Sequence, residues 1–148
     1  MNTHPYLRAY MAGVVVPSLV LLVVVTAYFF ARFVYQIAIP IERAIVFPMA
    51  LVPSLFGLWN MFYLWLRPRR HLPIGLHGAL LPFVLAPIGI TLATTLGFLQ
   101  LGPNGALWFG RFVIPYHEVA IAFCIGLMVY YLVWKYLVGF FNQVIGIA

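Results

Sequence analysis

Charge is scarce in this sequence. Only 7% of its 148 residues are charged, and the acidic side chains number two, Glu42 and Glu118. A soluble domain carries about 25% charged and about 45–50% apolar residues, whereas 66% of this chain is hydrophobic. So few charges cannot cover a water-facing surface, which excludes a soluble globular domain and makes lipid the medium for the apolar exterior. Cysteine is nearly missing as well, with Cys124 alone inside an apolar run. A single thiol excludes an intramolecular disulfide, a CxxC redox pair and a thiolate zinc cluster. No acid stands mid-span, where a proton-coupled transporter would place one.

Long apolar runs are abundant. Four spans are expected, over residues 11–34, 44–66, 76–101 and 116–138, each long enough to cross about 30 Å of hydrocarbon at about 1.5 Å per residue. The expected fold is therefore an all-α membrane protein, a four-transmembrane-helix bundle forming one transmembrane domain over residues 1–148. A cleavable signal peptide is the rival reading of the first run, with Val25-Thr26-Ala27 as the cleavage site. The run continues through Tyr28-Phe29-Phe30, which favours a retained span.

Eight Lys and Arg residues give a net charge of +6. They flank the apolar runs and do not form a basic patch interleaved with stacking aromatics, so they are read as topology signals rather than as a nucleic-acid surface. Arg8, Arg67, Arg69, Arg70 and Lys135 fall on the side of the termini, and Arg32, Arg43 and Arg111 opposite. The excess places both termini in the cytoplasm, and the expected location is a bacterial inner membrane. Aromatic residues follow the same division, with Tyr6, Tyr10, Trp59, Tyr63, Trp65, Tyr130, Tyr131, Trp134 and Tyr136 toward the termini and Tyr35, Trp108 and Tyr116 at the other interface.

A short pattern recurs. Arg32-Phe33-Val34 is echoed by Arg111-Phe112-Val113, each block is followed by an Ile-Pro pair, and Glu42 and Glu118 follow in turn. This reads as an internal repeat of two helical hairpins in the same orientation, against the alternative of chance in so biased a composition. The repeat gathers Arg32, Glu42, Arg43, Arg111, His117 and Glu118 into a candidate polar cluster at the outer helix ends. Ionisable groups near a membrane mark either a site or a structural ion-pair cluster, and their placement at span ends favours the second.

Other residue types are weighed in the same way. Arg67, Arg69 and Arg70 form a basic turn that can hold lipid headgroups or simply set the topology. Gly89, Ala93 and Gly97 recur at four-residue spacing, as a helix-packing ridge would. Cys124 reads as a small packing residue. Pro48 and Pro53 in the second span, and Pro82 and Pro87 in the third, predict kinks beside Asn60, Thr91, Thr94, Thr95 and Gln100, which line a small polar cavity or bond to neighbouring helices. The four histidines offer no pair at one depth for haem, and His71 and His77 lack the further ligand of a metal set. No cofactor or metal is therefore expected. Ser18 and Ser54 have no histidine or carboxylate at their depth for a hydrolytic triad, and Gly102-Pro103-Asn104-Gly105 reads as a turn.

With few residues outside the spans, the expected partners are lipids and other transmembrane helices, and not nucleic acid. The first functional expectation is a non-enzymatic accessory, assembly or scaffold subunit in a homo-oligomer or a larger membrane complex. A small oligomeric channel or carrier is the alternative. A lipid- or quinone-binding protein is the third reading.

Overall fold

The computed structural model describes residues 4–38, 47–69 and 71–147. Its elements are α1 (Pro5–Phe33), α2 (Phe47–Leu66), α3 (Ile74–Thr95), strands β1 (Leu99–Leu101), β2 (Ala106–Trp108) and β3 (Phe112–Ile114), and α4 (Tyr116–Val144). Three of the helices, α1, α3 and α4, are long and apolar enough to cross a membrane, and the apolar stretch Ala50–Leu66 of α2 is shorter. The chain is thus mostly helical and compatible with a multi-pass membrane protein. Pro5 opens α1 and Pro115 precedes α4, positions where a missing amide hydrogen costs nothing and the fixed φ suits helix entry.

The third span departs from expectation. It was expected to run as one helix over residues 76–101, but α3 stops at Thr95. Gly97 takes a left-handed φ of 78° and the Phe98 amide reaches back to the Ala93 carbonyl at 3.1 Å, the closure that glycine makes possible after a last helical turn. The following residues form an antiparallel meander, β1 pairing Leu99 with Trp108 and Leu101 with Ala106, and β2 pairing Ala106 with Ile114 and Trp108 with Phe112. The turn expected at Gly102–Gly105 is the first hairpin connection, closed by a Gly102 amide to Gly105 carbonyl bond of 2.9 Å. Phe109 and Gly110 both have positive φ, as a tight hairpin between twisted strands requires.

The meander also bears on the recurring pattern. Arg32 and Phe33 belong to the last turn of α1, whereas Phe112–Ile114 is strand β3. The matching blocks therefore have different local conformations, because one ends a helix and the other pairs with β2. Residues 39–46, which carry the rest of the first block, lie outside the described residues.

Side chains pack chiefly at the end of the bundle that holds both termini. Val16, Phe56, Leu81, Trp134 and Val138 make the core there, with α1 contributing only Ala9, Ala12, Gly13, Val16 and Pro17 as buried residues. The other end has a smaller core of Ala93, Phe98, Leu99 and Ala106 beneath the sheet. Between them, the Tyr116–Leu132 segment of α4 buries none of its residues.

Glycine permits the closest approaches. A Cβ on Gly13 would lie 2.6 Å from the Phe56 carbonyl oxygen, and one on Gly78 would collide with the root of the Trp134 side chain. By contrast, a Cβ on Gly89 meets nothing within 4 Å, and Gly97 is in the turn after α3. Between helices the close contacts therefore fall at Gly13, Gly57, Gly75 and Gly78. Of the expected ridge, only Ala93 is packed, beneath the sheet.

In α4 the hydrogen-bond pattern widens to a π-helix over Val133–Val138. Trp134, Val138 and Asn142, spaced four apart, are all buried. Eight residues of regular α-helix overshoot two turns by about 80° at 3.6 residues per turn, and the wider turn brings these three side chains nearer to one face. Overpacking predicts that Gly78→Ala lowers stability by about 1–3 kcal/mol. Gly89→Ala, in open space, should be neutral or stabilising by up to about 1 kcal/mol. Thermal unfolding of the two variants in detergent, compared with the parent, checks both signs.

Candidate functional site

Among the described residues, the buried polar side chains lie at the terminal end, on α2, α3 and α4. His77 stands one turn into α3 at 1% exposure, and the neighbouring aromatic side chains enclose it. The Trp59 ring stacks on it at 4.9 Å between centroids, Tyr63 lies at 5.2 Å, Phe62 at 5.8 Å, and Trp134 meets it edge-on at 5.8 Å. Two hydrogen bonds run in opposite directions between α2 and α3. The Trp59 indole N–H donates to the His77 carbonyl at 2.9 Å, and His77 Nε2 lies 3.0 Å from the Trp59 carbonyl. A carbonyl can only accept, so Nε2 must carry the hydrogen. His77 Nδ1 is then left as an acceptor and Trp134 Nε1 as a donor, both buried and without a partner among the described residues.

The next residue of α2, Asn60, links three helices. Its Nδ2 donates to the Ala9 carbonyl at 2.7 Å and to Asn142 Oδ1 at 2.8 Å, and Asn142 Nδ2 donates back to Asn60 Oδ1 at 3.1 Å. Both amides are almost wholly buried. Two complementary amides satisfy each other in surroundings where an unpaired one would be costly. Of the two roles expected for Asn60, Thr91, Thr94, Thr95 and Gln100, lining a small polar cavity or bonding to neighbouring helices, Asn60 takes the second. Thr94 returns its hydroxyl to the Ile90 carbonyl of its own helix, and Gln100 is exposed in β1.

Two cavities flank this network. The larger, about 290 Å³, lies between α1, α2 and α4. It is lined by Val16, Pro17, Val20, Leu21, Val52, Phe56, Val129, Tyr130, Val133 and Leu137, with the Tyr130 hydroxyl its one polar side-chain group. A smaller crevice of about 120 Å³ opens at the terminal end, where Arg67 and Lys135 lie among its lining residues. A third hollow of about 410 Å³ lies between the residues after α1 and the sheet, with Arg111 on its wall.

Of the expected polar cluster, Arg32 lies in the last turn of α1, over the Phe33 ring at 5.8 Å. Arg111 is exposed in the β2–β3 turn, and His117 and Glu118 are exposed in the first turn of α4. Glu118 there complements the positive end of the helix dipole. Glu42 and Arg43 lie outside the described residues, as does Arg70 of the basic turn. The rest of that turn is engaged: Arg67 donates to the Ile147 carbonyl at 2.9 Å, and Arg69 stacks over Trp65 at 4.3 Å. His71 is exposed just before α3, and Cys124 is exposed on α4.

Sequence reasoning missed the roles of His77 and Asn142. The sequence singles out His77 only with His71, as an incomplete metal set, and does not single out Asn142. The available signal was a polar residue spaced four and eight positions from Val138 and Trp134 in an otherwise apolar stretch.

Family models, curated proteins and solved structures all yield no match to this chain. The paired amides generate a prediction of their own. Asn142→Leu strands the Asn60 amide and should cost about 1–2 kcal/mol. Asn60→Leu combined with Asn142→Leu should cost less than the two single changes added together. A double-mutant cycle read by thermal or denaturant unfolding in detergent measures that coupling.

Proposed function

We propose that this protein is a non-enzymatic multi-pass membrane subunit that works by lateral association with other transmembrane helices, as an accessory, assembly or scaffold component of a homo-oligomer or larger complex. One observation carries the reading: the Tyr116–Leu132 segment of α4 has no buried residue, although it presents Ala120, Cys124 and Gly126. A Cβ on Gly126 or on Gly89 of α3 meets nothing within the chain. Exposed leucine and valine need no partner in lipid, whose tails are equally apolar, but small residues are where a second helix can come close. The terminal end, with its amides paired and its aromatic side chains packed, is suited to hold the hairpins while the opposite halves of the helices dock.

A second reading has its own support. The 290 Å³ cavity is apolar apart from one hydroxyl, which suits a lipid or quinone tail. A channel or carrier reading would need a polar wall, and this cavity does not supply one. The excess of Lys and Arg near the termini supports cytoplasmic termini, and a bacterial inner membrane is the proposed location.

Association is tested by purification in mild detergent with the mass and co-purifying chains recorded together. The expected result is a complex larger than one chain, dissociated by Gly126→Leu or Gly89→Leu while the unfolding temperature stays near that of the parent. A parent protein that is monomeric and alone in both detergent and lipid discs contradicts the proposal. Orientation is tested by cysteine labelling in a Cys124→Ala background: position 104 should label from outside and position 69 should be protected, and the reverse pattern overturns it.

A further inference from the structure

The described acidic side chain, Glu118, sits at the start of α4, and Arg67 and Lys135 lie at the other end of the bundle in one crevice of about 120 Å³. At a share of about 30 Å³ per water, that volume corresponds to about four waters, enough for one small oxyanion. Tyr63 of α2 and Gln143 of α4 are also among its lining residues, while the Asn142 amide beside them is engaged by Asn60.

Each cation also has contacts of its own. The Arg67 side chain crosses from the end of α2 to the Ile147 carbonyl at 2.9 Å, which anchors one of its five N–H donors. Lys135 lies in the π-helical turn, with Nζ 5.2 Å from the Tyr136 ring centroid and 5.7 Å from that of Tyr131. Tyrosines at this level are the expected markers of a membrane interface, where phosphate groups lie. Two like charges lining one small, partly enclosed space repel each other, and an anion between them turns that repulsion into attraction.

We propose that the crevice between α2, α3 and α4 binds the phosphate of an anionic membrane phospholipid, with Arg67 and Lys135 as its two cations. The site goes beyond the basic turn read from the sequence, because Lys135 comes from another helix and Arg69 is turned away over Trp65. It is also independent of the lateral-association reading, since it uses the packed terminal end rather than the uncovered helix halves. The lipid in this site would tie the end of α2 to the π-helical turn of α4 at headgroup level, and its acyl chains would remain in the bilayer outside the crevice.

The test uses the full chain in detergent with defined lipids. Native mass spectrometry reads retention of short-chain phosphatidylglycerol against phosphatidylcholine, and a parallel titration uses inorganic phosphate. Preferential retention of the anionic lipid is expected. Lys135→Gln, at an exposed side chain, should weaken it about fivefold, and Lys135→Gln with Arg67→Gln about thirtyfold, if each cation contributes as basic residues do at a membrane surface. Lys135→Arg should restore binding, and Arg111→Gln at the opposite end should leave it unchanged. The single Lys135→Gln variant decides the matter if the double variant does not fold. Equal retention of phosphatidylcholine, unchanged binding in Lys135→Gln, or inorganic phosphate binding as tightly as the lipid would each overturn the proposal.

Discussion

In a bilayer interior no water is available to satisfy a buried donor or acceptor, so a polar group carried inward is costly unless it finds a partner in the chain. The exchange between Trp59 and His77 satisfies the Trp59 indole and His77 Nε2 with two hydrogen bonds in opposite directions joining α2 to α3, while His77 Nδ1 and Trp134 Nε1 have no partner among the described residues. Much of the terminal end depends on it. The stacked imidazole closes one side of the cage that Trp134 completes, and Trp134 can enter because Gly78, next to His77, has no side chain. The next residue of α2, Asn60, reaches both α1 and α4.

The two ends of the bundle therefore differ in kind. At the terminal end, directional bonds connect neighbouring helices, and the π-helical turn of α4 aligns the buried side chains that face α2 and α3. The opposite end is covered by a three-stranded meander whose small core reaches only Ala93 of α3. Tyr116 fastens that meander to α4 by donating its hydroxyl to the Gly102 carbonyl at 2.6 Å. Between the ends, most of the α1 and α4 side chains face outward. A bundle locked at one end and open along its flanks is a reasonable base for docking other helices, because docking need not disturb the network that holds the chain together.

How much of this was legible in the sequence depended on the distance over which each feature is specified. The apolar runs are local, and three of the four expected spans correspond to helices long enough to cross a membrane. Pro5, Gly97 and Pro115 are local signals too, although Gly97 was read as part of a packing ridge and not as the residue that ends α3. The meander was missed because its strands are three residues each, too short for an alternation to show, so composition alone cannot separate strand from helix or loop there. The pairing of Asn60 with Asn142 crosses 82 positions, and nothing in either local stretch announces the other. The candidate polar cluster came from a recurrence of Arg, Phe and Glu, yet its described members lie on a helix end, a strand turn and an exposed first turn, because similar short blocks entered different secondary structures.

The contrast between a locked terminal end and open flanks is tested most directly by spin-label distance measurements on the isolated chain in detergent, in a Cys124→Ala background. One pair of labels belongs at the exposed positions Leu7 and Leu76 near the termini, and a second at Val25 and Ile121 toward the sheet. The account predicts a narrow distance distribution for the first pair and a distinctly broader one for the second. Equal widths, or a broader distribution at the terminal end, would contradict it.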